Sequence, residues 1–472
     1  MVAMRLLRTR KVWLILLALA MGASLRLWFI HAYPEVEGDS MIYGEIARNW
    51  MTHGVYGLTS APGHFRPTLI RLPGYPLFLA LCFLLFGMEH YTAVMLVQVA
   101  VDLATCLLVA GFACRLWSAR AGWWALWLAV LCPFTANFTA APLTETPELF
   151  CTALGFYALV RFLDSPRWNW ALSLAMAWSG AALLRPDGAL LAVALCPAMV
   201  MDGAQRWGAG RMLRWACLCG ALAVLPFAAW TVRNWRTFHV FQPLAPRYAV
   251  DPGESTDPGF NRWTRTVCID LACTWDIYWN ANTDVLSLGD LPRRAFESSR
   301  QYQETRQLFD EYNRRTTITP AIDAEFAALA RERIRAHPFR YYVALPVARL
   351  ADMALRPRTE LLWIELRWWQ YSKHHAETEF SVAYAALNFA YLAAAAVGFA
   401  RRPRLRWAIL AFVLLRCAVL VTLEASEPRY TLEWFPPLIA LAGVALGGRK
   451  RKAGQSEFDP QTSPSSSLSS VT

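Results

Sequence analysis

Apolar residues in this chain come in repeated long runs, each closed by a polar or charged stretch. Runs of roughly 18 residues or more mark helices that cross a bilayer. The pattern predicts an all-α, polytopic membrane protein. Its first run, 12–30, is too long for a signal peptide and has no small-residue cleavage site, so it reads as a retained anchor. Further spans are expected over 91–114, 122–137, 149–163, 168–184, 189–200, 215–231, 380–399, 407–423 and 434–446. That makes about ten crossings. Two apolar stretches read instead as interfacial. Residues 75–87 are short and follow Pro73-Gly74, and 339–356 carry Arg349 and Asp352 ahead of Trp363, Trp368 and Trp369.

Charge sets the direction of these spans, because Lys and Arg gather on cytoplasmic loops. Arg5, Arg8, Arg10 and Lys11 precede the first span, so the N-terminus is expected in the cytoplasm. The same parity puts inside the loops with Arg115 and Arg120, with Arg161 and Arg167, and with Arg206, Arg211 and Arg214. Arg401, Arg402, Arg404 and Arg406 then lie inside, as do Arg449, Lys450, Arg451 and Lys452. Letting 75–87 cross would reverse the three earlier loops.

The expected organisation has four parts. A transmembrane module, 1–232, carries its first external loop at 31–90. An external, mostly helical segment follows at 233–338, within the size of a small domain. There, 293–315 is charged and amphipathic, and Thr319-Pro320 marks a helix start with a capping side chain and a first-turn proline. The interfacial segment and last spans fill 339–452, and a Ser-rich cytoplasmic tail, expected to be disordered, ends the chain at 453–472.

Composition agrees with this class: 56% of residues are hydrophobic and 22 are Trp. A net charge of +11 is accounted for by topology, and no soluble basic face points to nucleic acid. Most of the 11 cysteines lie in spans, where they serve packing. Cys268 and Cys273 are external and close enough in sequence to pair in an oxidising compartment, a point that spacing leaves open. Asp102 and Arg416 fall near mid-membrane, where a lone charge is costly; they either pair inside the bundle or line wet cavities.

The cytoplasmic loops are too short for a nucleotide-binding domain, and none has a Walker-type or Gly-x-Gly-x-x-Gly loop. The polar mass faces outward. A sugar donor held in the membrane by an isoprenoid tail fits such a layout, with its phosphate level with the first external loop.

That loop runs Asp39-Ser40-Met41-Ile42-Tyr43-Gly44-Glu45-Ile46-Ala47-Arg48 and later Arg71-Leu72-Pro73-Gly74-Tyr75-Pro76. With Leu143-Thr144-Glu145, Leu184-Arg185-Pro186, Val232-Arg233-Asn234 and Glu427-Pro428-Arg429-Tyr430, it resembles the C-type membrane glycosyltransferases. The likeness is nearest to glycosyltransferase family 39, with its aminoarabinose transferases and protein O-mannosyltransferases. The family usually sets a second acid beside the first-loop Asp; this chain has Ser40.

The resemblance implies inverting transfer from a polyprenyl-phosphate sugar to an acceptor lipid, glycan or protein on the outer face of a bacterial cytoplasmic (inner) membrane. It maps the catalytic carboxylate onto Asp39, as general base. An alternative use of Asp39 is to cap the helix starting near Ser40. Arginine's planar fork suits a departing phosphate, so Arg71 and Arg429 are candidates, with Arg66 and His64 as neighbours. Glu145, Tyr43 and Tyr430 are candidates for orienting the acceptor. No cofactor is firmly implied; a divalent cation shared by Asp39 and Glu145 stays open. Glu45 and Arg48 read as a surface pair, and Arg185 with Asp187 as a local one. A transporter or lipid flippase is the rival reading. It would place binding groups near the midplane in broken helices, often with repeated halves. A non-catalytic scaffold is the third.

Overall fold

A computed structural model describes residues 2–448, with side chains from residue 12 onward. The basic cluster 449–452 and the tail 453–472 lie outside the described residues. The first half of the chain forms helices α1 (Val2–Ala32), α2 (Asp39–His53), α3 (Gly74–Phe86), α4 (Tyr91–Leu116), α5 (Ala119–Val130), α6 (Pro133–Ala136), α7 (Glu145–Asp164), α8 (Trp168–Leu184), α9 (Leu190–Trp207) and α10 (Ala209–Phe238). The second half adds α11 (Pro258–Val267), α12 (Leu271–Cys273), α13 (Ser299–Asn313), α14 (Pro320–Ala336), α15 (Leu345–Leu355), α16 (His375–Ala400), α17 (Arg406–Leu420) and α18 (Phe435–Leu446).

Helices occupy all ten stretches expected to cross. Five are both long and apolar enough to do so: Val12–Ala32, Tyr91–Leu116, Pro186–Trp207, Ala209–Phe238 and His375–Ala400. A sixth would be Ala119–Val130 with Pro133–Ala140, bent by 50°. The chain is thus a multi-pass membrane protein. The other expected spans fall short for physical reasons: α7 opens on Glu145 and Glu148, and α17 and α18 are brief. Helix α3 is apolar but too short to cross, as its sequence indicates.

The bundle core joins Phe112, Phe134, Phe156, Trp178, Phe412 and Phe435 from both halves of the chain. Small residues let helices approach closely, as is common in lipid. A methyl group on Gly443 of α18 would sit 2.5 Å from the Ala121 carbonyl of α5.

The loop at 31–90, expected to be external, departs from an all-helical reading. Strands β1 (Gly57–Ala61) and β2 (His64–Pro67) form an antiparallel hairpin pairing Gly57 with Pro67 and Leu58 with Arg66. It joins α2 to the turn that carries Arg71. At Gly74, the first residue of α3, nothing larger fits: a Cβ there would lie 2.5 Å from the Leu183 carbonyl.

The segment expected to be external has its own core of Phe260, Trp263, Ile277, Leu308, Phe309, Tyr312 and Phe326. Cys268 and Cys273 are joined in a disulfide. Thr319 caps α14 by accepting from the Ile322 amide, and Pro320 fills the first turn. Helix α10 runs on to Phe238, past the boundary expected at 232, so Arg233 and Asn234 are helical. A π-helical turn at Arg340–Ala344, with Tyr342 exposed, leads into α15, which exposes Val347 and buries Arg349 and Met353.

The two charges expected near mid-membrane do not meet. Asp102 accepts from Arg26 Nε at 2.7 Å, while Arg416 is paired with Asp187 and Glu433 at 2.9 and 2.8 Å. Arg26 lies one helix away from Asp102, within the apolar run of the anchor, and burial forces each charge onto its nearest opposite.

Candidate active site

Asp39 is the first residue of α2, but its side chain makes no cap; Gly38, at φ 52°, occupies the N-cap position. Both carboxylate oxygens are used elsewhere. Oδ1 accepts from Arg71 at 2.6 Å and Oδ2 from Arg429 at 3.1 Å. These arginines come from distant parts of the chain, the turn before α3 and the 3-10 turn Pro428–Trp434 ahead of α18. Burial raises the Asp39 carboxyl, but Arg429 and Arg71 outweigh it and hold the group below the usual carboxylate range.

Each arginine is held from behind. The Arg71 guanidinium lies over the Tyr43 ring, 5.6 Å from its centroid, and the Arg71 carbonyl accepts from the Tyr56 hydroxyl at 3.0 Å. Burial pushes the Tyr43 phenol up to about 12, so it stays neutral. The turn is fixed by Arg233, which donates to the carbonyls of Thr68 and Tyr56, and by Asp251, which accepts from the Thr68 hydroxyl and the Leu69 amide. Glu427 steadies the other arginine. It pairs with Arg429 Nε at 2.6 Å and accepts from the Tyr430 hydroxyl at 2.9 Å.

From Arg429 the charges continue inward. Glu145 lies 3.8 Å from Arg429 and 3.4 Å from Arg185. Arg185 reaches Asp187 at 3.4 Å, its expected local partner, and also Glu148 and Glu433. Those acids lead to Arg416. Glu145 is the first residue of α7 and makes no side-chain cap. Arg429 stands between Asp39 and Glu145, so a guanidinium takes the place a divalent ion shared by these two acids would need. Among the described residues, no group of three or more His, Cys, Asp or Glu is arranged to hold a metal ion.

The structure brings Asp39, Arg71, Arg429, Glu145, Tyr43 and Tyr430 together and leaves two candidates outside. Arg66 pairs with Glu254 and, at 3.5 Å, with Asp251, and His64 is exposed at the hairpin tip. The strand registers carry both away from the carboxylate. Arg48 pairs more closely with Glu89, at 2.9 Å, than with Glu45, at 3.9 Å. Glu427, Glu148 and Glu433 are the residues sequence reasoning missed. Glu427 adjoins the Arg-Tyr pair, and acids beside apolar runs were the available signal for the others.

Residues 66–230 match the family described as dolichyl-phosphate-mannose-protein mannosyltransferase. The chain resembles the C-type membrane glycosyltransferases. The matched stretch of this glycosyltransferase-like chain includes Arg71, Glu145 and Arg185 and leaves Asp39 and Arg429 outside it. No curated protein matches the chain. Among solved structures, it is similar to ArnT from Cupriavidus metallidurans bound to undecaprenyl phosphate, with 16% identity over 93% of this chain and 77% of that one and a TM-score of 0.42. It is also similar to the archaeal oligosaccharyltransferase AglB from Archaeoglobus fulgidus, in complex with an inhibitory peptide and a dolichol-phosphate, with 12% identity and a TM-score of 0.48. That second match covers 93% of this chain and only 50% of AglB. At this level of likeness neither neighbour assigns a role to a residue here.

Proposed function

We propose that the chain is an inverting glycosyltransferase. It moves one sugar from a polyprenyl-phosphate donor to a hydroxyl of a lipid, glycan or protein acceptor. The reaction runs at the outer face of a bacterial cytoplasmic membrane, in a bundle of about ten crossings with cytoplasmic termini. The observation that carries this reading is the Asp39 carboxylate held between Arg71 and Arg429 in a half-open site.

Asp39 is the general base. The acceptor oxygen attacks the anomeric carbon from the face opposite the phosphate, and its proton passes to the Asp39 carboxylate. As the new carbon–oxygen bond forms, the bond from the anomeric carbon to the phosphate oxygen breaks. Its electron pair stays on the phosphate, which leaves without needing a proton. Arg71 and Arg429 face the growing negative charge with preorganised N–H donors. Glu145, Tyr43 and Tyr430 shape the acceptor side, and the external segment from 239 to 338 covers it. The arrangement needs no bound metal ion to balance the phosphate. It is further supported by the family match over residues 66–230.

The transporter reading loses its main support, since Asp102 and Arg416 are each neutralised by partners within the bundle. The deciding experiment incubates purified protein with a panel of polyprenyl-phosphate sugars plus membrane extract as acceptor source. Mass spectrometry should show free polyprenyl phosphate appearing with wild type and not with Asp39→Asn. Consumption of no donor, or equal consumption by the variant, would overturn the reading.

A further inference from the structure

Asp39 as it stands is badly placed to take a proton. Arg71 and Arg429 each present one terminal nitrogen to it, at 2.6 and 3.1 Å, so both oxygens already accept a charged hydrogen bond. Among the described residues, Asp39 is the only carboxylate within ion-pair distance of Arg71. The remaining edges of the guanidinium groups are weakly used or committed elsewhere. Arg71 Nη1 donates to the Ile70 carbonyl at a long 3.4 Å, and its Nε has no hydrogen-bond partner. Arg429 Nε pairs with Glu427. Arg71 Nε is buried, and Arg429 Nη1 faces Glu145 at 3.8 Å, so the edge each arginine can offer to an incoming phosphate is the one that Asp39 holds.

We propose that Asp39 and the lipid phosphate are alternative partners of the Arg71–Arg429 pair, so that the carboxylate becomes a free base only as the phosphate takes over the two guanidinium groups. This rests on the donor reading above. Charge over the four groups balances at each stage. Before transfer, two arginines face one carboxylate and one phosphodiester negative charge. After it, the carboxyl is protonated and neutral, and the leaving phosphate monoester carries both negative charges. The arginines thus change partner in step with the reaction, and the summed charge of these four groups stays at zero throughout. Donor must be seated before the acceptor can be activated, so water or acceptor alone meets a carboxylate that is already occupied.

One consequence runs against ordinary expectation. Removing the charge of the catalytic carboxylate should strengthen binding of the lipid phosphate. With full-length protein in detergent and farnesyl phosphate as probe, Asp39→Asn should bind about tenfold more tightly than wild type. Farnesol, lacking the phosphate, should show no difference. Arg71→Ala should weaken binding of farnesyl phosphate, and the double variant should lose the gain. Asp39→Ser is the second variant should the amide fail to fold. Unchanged or weaker binding by a folded Asp39 variant would overturn the competition, as would an equal gain for farnesol. Failure of the base assignment is read separately, as sugar transfer by Asp39→Asn, and would remove the premise on which the competition rests.

Discussion

Two ends of one ionic array do different work with the same side chains. At the outer end, Asp39 sits between Arg71 and Arg429, with the three side chains 28%, 19% and 19% exposed. At the inner end, Arg416 is held by Glu433 and Glu148, and all three are at most 1% exposed. The inner charges are closed off and can only satisfy each other. The outer ones are reachable, and two arginines share one acid there. Access, rather than residue type, separates the cluster proposed to be reactive from the one that is closed off. A paired charge in a low-dielectric interior is held in place by the penalty of leaving its partner bare.

Substitutions at the two ends should break differently. The largest effect is expected for Asp39→Asn, with turnover falling by about 10²- to 10⁴-fold while the unfolding temperature falls only modestly; donor consumption and a thermal melt report the two. Arg416→Ala should reverse this profile. It leaves the buried Glu433 and Glu148 with only Arg185, at 3.9 and 3.5 Å, and should cost about 3–5 kcal/mol of stability, seen as a lowered melting temperature and poor folded yield. Turnover per folded molecule should survive far better than in Asp39→Asn, and a loss as deep would extend the reactive cluster inward. Arg71→Ala lies between them. Loss of a charged hydrogen bond of roughly 1.5–3 kcal/mol should raise the KM for donor more than that for acceptor. Equal change in both would mark a scaffold role.

Acid gives the smallest and finest distinction. Burial raises the Asp39 carboxyl, but Arg429 and Arg71 bring it below its ordinary value. A depressed folded value means that the stabilisation is fully present above the unfolded carboxyl's value of about 3.9 and is lost as pH falls through the folded value. The stability gap between wild type and Asp39→Asn should therefore stay flat across neutral pH and shrink only in strong acid. A gap that closes near neutrality would contradict the ion-pair geometry.

The helical bundle was legible because long apolar runs and basic loops carry their own physical signal. So was α14, whose Thr319 and Pro320 mark its start. Asp39, Arg71 and Arg429 were legible through short motifs, although nothing in their spacing reveals that 390 positions of separation close to 3.1 Å. Two kinds of feature were not legible. The hairpin of Gly57–Ala61 and His64–Pro67 is too short for a periodic signal and is interrupted by Pro62-Gly63. It is this hairpin that turns His64 and Arg66 away from the site. The partners of Asp102 and Arg416 depend on which helices neighbour each other, and an apolar run says only that a helix is buried. Arg26 sits inside the run of an anchor, where a lone arginine resembles a membrane-edge residue until its acid appears on α4.

The stretch after α10 has a further consequence. Asp251 and Glu254 grip the hairpin and its following turn, while Arg247 on the same stretch holds Glu424 and the Thr422 carbonyl, a few residues before Arg429. One short piece of chain between α10 and α11 therefore splints the two backbones that supply the arginines. The span between those cations is set by residues that make no hydrogen bond or ion pair with the carboxylate between them.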